Sequence, residues 1–143
     1  MQSKLIADNP KTFVLILAAG DEILSSLKTF AQAEHLSSSS FKAIGALSEV
    51  ELGWFNWENK KYETAVKLRE QVELLSLIGD IALKDNQPQV HAHLVVGRRD
   101  GTAYGGHLLR ATVRPTCELV ITESPQHLHK EIDPESGIAL IRL

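Results

Sequence analysis

The spacing of strand-like runs constrains this chain more than any other feature of its sequence. From residue 41 onward, β-branched or alternating segments follow one another at 41–46, 49–57, 61–68, 72–83, 90–97, 103–113 and 117–123. The breaks between them are short, and three are plainly polar: Glu58-Asn-Lys60, Lys84-Asp-Asn-Gln-Pro88 and Arg98-Arg-Asp-Gly101. A parallel crossover needs about a dozen residues or more, so connections this short join antiparallel neighbours.

Upstream, 5–7 and 12–18 predict two further strands around the turn Asp8-Asn-Pro-Lys11. The second is apolar throughout, which predicts cover on both faces. A helix is expected from Gly20-Asp21 to about His35. Its buried side is Ile23, Leu27, Phe30 and Ala31, Asp21 and Glu22 sit at its electropositive start, and His35 complements its far end. The tract Ser37-Ser-Ser-Ser40 ends it and reads as a connection. The expected architecture is α+β: one main helix packed on a mostly antiparallel sheet or open barrel. A chain of 143 residues holds one domain over 1–143, with a core at about 5–123 and a C-terminal tail at 124–143 that carries turn signals.

Charge narrows the function classes. The net charge is −3, whereas nucleic-acid binders usually carry a positive excess because phosphate neutralisation supplies their affinity. Basic residues such as Lys60, Lys61, Arg98, Arg99 and Arg110 are scattered among acids and predict a solvated surface, so DNA is not the favoured partner. A single cysteine, Cys117, rules out an intrachain disulfide, fits a small buried side chain and points to a cytoplasmic setting. The apolar run at 13–19 is too short to span a bilayer, and 1–8 has no signal-peptide apolar stretch, so no membrane partner is expected. No dinucleotide fingerprint, Walker loop, nucleophile elbow or Cys-x-x-Cys motif occurs.

The chemistry-bearing residues are histidines. His91 and His93 lie two apart on an expected strand, so both leave one face, roughly 6.5 Å apart. The chain returns through Arg99-Asp100-Gly101. A hairpin centred on Asp100 sets His93 opposite His107 and His91 opposite Leu109, and three imidazoles converge. A two-residue Asp100-Gly101 turn instead pairs His107 with Leu94 and sends it to the other face. Gly105-Gly106 adds a second way to re-aim it, through a bulge. Three imidazoles suit zinc or another divalent transition metal and leave a fourth position for water or a small molecule.

A ligating histidine needs its other nitrogen oriented, and Glu73 is the candidate carboxylate for that task or for a general base; a salt bridge or a subunit contact is its other reading. His127 and His129 lie in loop-like sequence and read as solvated. Trp54, Phe55, Trp57 and Tyr62 form an aromatic patch suited to core or subunit-interface packing, or to stacking a ring-bearing ligand.

Four stretches carry a family resemblance: Leu17-Ala-Ala-Gly-Asp-Glu-Ile-Leu24, Ala43-Ile-Gly-Ala-Leu-Ser48, Glu73-Leu-Leu-Ser-Leu-Ile-Gly79, and His91-Ala-His93 with Gly105-Gly-His-Leu108. In order and spacing they resemble the PPC domain (plants and prokaryotes conserved), also catalogued as a domain of unknown function. The resemblance implies a homotrimer and favours the converging register, since stand-alone bacterial and archaeal members keep these histidines and can hold a zinc-like ion there. Plant members join the domain to AT-hook motifs and act as DNA-associated proteins. This chain contains no Arg-Gly-Arg-Pro core, and has Glu70-Gln71-Val72 where plant members carry Gly-Arg-Phe. The leading expectation is a trimeric metal protein that binds or hydrolyses a small molecule. DNA association and a trimeric interaction module without catalysis are the alternatives.

Overall fold

At each short polar break the chain turns back on itself, and a computed structural model describing residues 1–143 gathers the result into one nine-stranded sheet. In chain order the elements are β1 (Gln2–Asp8), β2 (Lys11–Ala18), α1 (Ile23–Ala33), β3 (Ser38–Asn56), β4 (Lys61–Leu68), β5 (Val72–Lys84), β6 (Gln87–Gly97), β7 (Ala103–Glu123), β8 (His129–Ile132) and β9 (Ala139–Arg142). The sheet runs β1-β2-β7-β3-β5-β8-β9, with β4 on β3. Strand β6 pairs with both β5 and β7, which both pair with β3, so these four strands close a ring of pairings. Every pairing is antiparallel except the single β5–β8 bridge, Leu83 to His129.

The fold is mainly β with one short helix, and the α+β expectation is corrected to that extent. The helix spans 11 residues rather than the whole of 20–35. The Glu22 side chain caps it, accepting from the amides of Leu24 and Ser25, so the orphan donors of the first turn are met there. His35, at φ 54°, takes the left-handed conformation that ends it. The four positions expected to face inward, Ile23, Leu27, Phe30 and Ala31, are the buried ones. They meet Phe13, Leu15 and Leu17 of β2 and the inward residues of β3, β5, β6 and β7 in one apolar cluster. Cys117 is among them, fully buried, and burial pushes its thiol up to about 12.

Several boundaries differ from expectation. Segments 41–46 and 49–57 are one strand, β3, and 103–113 and 117–123 are one strand, β7. Irregularities of register near Leu47, rather than turns, bend this pair where the sequence pattern falters. The serine tract is not a connection: Ser37 to Ser39 are buried and Ser38 already belongs to β3. The Glu123 carboxylate, far along the chain, accepts from the amides of Ser37 and Ser38 and the hydroxyls of Ser37 and Ser39. Within the tail, the turn signals fall between the paired strands β8 and β9. No helix is long and apolar enough to cross a membrane.

Candidate metal centre

The hairpin from β6 to β7 decides whether the histidines meet. Its turn runs from Arg98 to Thr102, closed by Gly101 N–H donating to Arg98 O, with Gly101 at φ +83° and the Asp100 carboxylate accepting from Thr102. A left-handed residue at that position is what glycine supplies without a Cβ penalty. The hairpin is therefore centred on Asp100, and pairing proceeds from Gly97–Ala103 to His93–His107 without a slip. The glycines at 105 and 106 keep regular register against β6. The extra residue lies beyond them, at Leu109, where β7 gains one residue relative to β3. The β6–β7 ladder stops at His93–His107, so the expected pairing of His91 with Leu109 does not form.

His91, His93 and His107 converge. One nitrogen from each lies within 4.8 Å of the other two. His91 Nε2 and His93 Nε2 are 3.2 Å apart, and His93 Nε2 and His107 Nδ1 are 3.4 Å apart. His93 is exposed and the other two are half-buried. Burial, and then the neighbouring imidazoles, pull His107 down to about 4 and lower His93 in the same way. These two rings therefore favour the neutral form, the form that can donate a lone pair.

The carboxylate beside the histidines is Asp80, not Glu73. Glu73 pairs with Gly97 and lines a different depression, with Gln71, Pro115 and Glu118. Asp80 stands directly across from His91 in the β5–β6 ladder, with Oδ2 3.4 Å from His91 Nδ1. Its other oxygen, Oδ1, is 2.6 Å from Lys130 Nζ. Burial works against ionisation of Asp80, but His91 and Lys130 outweigh it and hold the carboxyl below its usual range. A sequence signal for this partner exists. Asp85 and Asn86, both at positive φ, form a two-residue turn that pairs Lys84 with Gln87. Counting back from that turn sets Asp80 against His91.

The aromatic patch is not core. Trp54 and Trp57 are exposed, Lys60 Nζ lies 3.8 Å over the Trp57 ring, and Phe55 meets Trp57 and Tyr62 edge-on. Tyr62 stacks on His107 with centroids 3.9 Å apart, which joins the patch to the histidines. His127 is exposed, as expected, but is not merely solvated, since its Nδ1 contacts the Ser37 hydroxyl. His129 lies on β8 and is exposed.

Known proteins share this fold. Residues 6–125 match the Plants and Prokaryotes Conserved (PCC) domain. The fold is similar to that of a Bacteroides thetaiotaomicron protein called a "putative DNA binding protein", at 29% identity and TM-score 0.91, covering 99% of this chain and 96% of that one. A Ralstonia eutropha protein with the same kind of name is 35% identical, with TM-score 0.85 over 92% and 90% of the two chains. A metal-containing protein from Archaeoglobus fulgidus is 29% identical, with TM-score 0.84 over 99% and 97%. Among curated proteins the chain is 28% identical to the bifunctional protein GlmU of Synechococcus over 89% of its own length, yet spans only 19% of that relative.

Proposed function

The chain belongs to the Plants and Prokaryotes Conserved domain family, and from that premise we propose that His91, His93 and His107 hold a zinc-like divalent ion with one coordination position left open. The facing nitrogens carry this reading. Two imidazoles on one tetrahedral zinc stand about 3.3 Å apart, given bonds of about 2.0–2.1 Å. Two of the three separations here are 3.2 and 3.4 Å, and the third is no more than 4.8 Å.

Proton placement supports it too. If Asp80 accepts the Nδ1 proton of His91, the Nε2 of His91 turns a bare lone pair toward His93. His93 Nε2 carries at most one proton and faces two nitrogens, so hydrogen bonding alone leaves the cluster poorly satisfied. A cation meets all three lone pairs. When bound, such an ion supplies Lewis acidity to a water or small molecule in the open position, which is the basis for reading the site as binding or hydrolysing a small molecule. The metal-containing relative supports the same reading.

Elemental analysis of protein purified without a polyhistidine tag tests it. About one zinc or similar ion per chain is expected, lost in His91→Ala and His107→Ala. Metal-free protein from zinc-supplemented cells would refute it.

Self-association as a homotrimer is part of this reading. Ile44, Leu75 and Ile78 are 62%, 53% and 59% exposed on one sheet face, an apolar surface that a second copy would cover. Ile78 and Val95 share a shallow depression with His93, so association through this face would bring another chain up to the metal site. Sedimentation equilibrium should give three times 15.8 kDa, and a monomer would remove this part. DNA binding, which the names of two relatives suggest, predicts salt-sensitive retention of duplex DNA. The net charge of −3 makes it the second choice.

A further inference from the structure

The β8–β9 hairpin lies beyond the residues that match the family domain, yet one of its side chains reaches the support of the histidines. Lys130 sits on β8 with its side chain only 3% exposed. An ammonium buried this far persists only beside a counter-charge, and Asp80 Oδ1 at 2.6 Å provides it. That contact uses one carboxylate oxygen and leaves the other, Oδ2, facing His91 Nδ1. Without the lysine, the short Asp80 side chain is free to turn toward solvent. The hairpin has few other ties to the sheet: the Leu83–His129 bridge, Leu83 N–H to Leu128 O, and Leu128 N–H to Ser37 O. It also walls a cavity of about 390 Å³ with Tyr62, His91 and His107.

We propose that Lys130 is a positioning residue for the metal centre: it fixes Asp80 so that His91 keeps its proton on Nδ1 and its bare Nε2 toward His93 and His107. The C-terminal hairpin is then a working part of the centre, and its docking and metal uptake favour each other, as any two linked equilibria must. The metal arm of this inference rests on the reading above, whereas the proton arm does not.

Both arms are measurable on the full chain. In metal-free protein, imidazole ¹⁵N shifts should place the His91 proton on Nδ1, and Lys130→Met should spread it over both nitrogens. Zinc affinity, by chelator competition, should fall about tenfold in Lys130→Met, the lower end of what loss of such outer partners costs. Lys130→Arg should restore both. Unchanged proton placement and unchanged affinity in Lys130→Met would overturn the proposal. Wild-type protein that shows the expected proton placement but takes up no zinc would sink the metal reading and leave Lys130 in its role. Should Lys130→Met fail to fold, Lys130→Gln keeps a donor without the charge and is judged by the same two readouts.

Discussion

Strand β6 serves two regions with alternate residues. Ala92, Leu94 and Val96 point inward and are at most 3% exposed, packed with the helix and the inward faces of its neighbours. His91 and His93, which alternate with them, point outward into the polar corner. The inward region is complete, because apolar surfaces fill one another and ask for nothing further. The outward one is not, since its nitrogens face one another with too few protons to share. One period-two strand can thus hold stability on one side and chemistry on the other, so the two should respond separately to substitution.

The largest expected effect is on the inward side. Leu119→Ala, at a fully buried position, should cost about 2–5 kcal/mol in urea unfolding with a chelator present, while the folded fraction still binds zinc at the wild-type ratio. Loss of metal in step with stability would show that the regions are not separate. Gly79→Ala sharpens the comparison where the regions touch. A Cβ there meets the Phe41 ring on one side and the His91 carbonyl oxygen on the other. It should cost about 1–3 kcal/mol and also weaken zinc binding, because His91 must shift. A stability loss with undiminished affinity would mean that the corner is insulated even from its own backbone.

The last effect belongs to the outward side alone. His107 titrates at about 4 rather than 6.5, so between those values an unfolded chain takes up a proton that the folded ring refuses. Metal-free stability should therefore fall as pH drops through this window and be insensitive to this ring above it. His107→Gln should flatten the slope, and an unchanged slope in a pH series of urea melts would assign it elsewhere.

Much of this was legible in the sequence, and the exceptions share a cause. The bounds of β4 and the buried face of the helix follow from local pattern, and the Asp100-centred hairpin was one of two registers the sequence left open. The bends in β3 and β7 read as strand ends in the sequence, because an irregular pairing and a turn interrupt the alternation alike. Ser37 to Ser39 looked like loop because hydroxyls usually seek water. Their partner, Glu123, is close only after β7 has returned beside β3. Lys130 is hidden for the same reason, since β8 meets β5 only in the folded chain, whereas Asp80 can be reached by counting back from the Asp85-Asn86 turn. Local chemistry singles out the three histidines. It names their supports poorly.

The face-to-face packing of Tyr62 on His107 has an optical consequence. Tyr62 lies 3.9 Å from that imidazole, so one fluorophore touches the corner directly, whereas Trp57 is reached only through Phe55. An ion or ligand that draws electron density from His107 would alter the ultraviolet emission of Tyr62 without any attached dye. Occupancy could then be followed by light alone, with Trp54, on the same exposed patch, as an internal comparison.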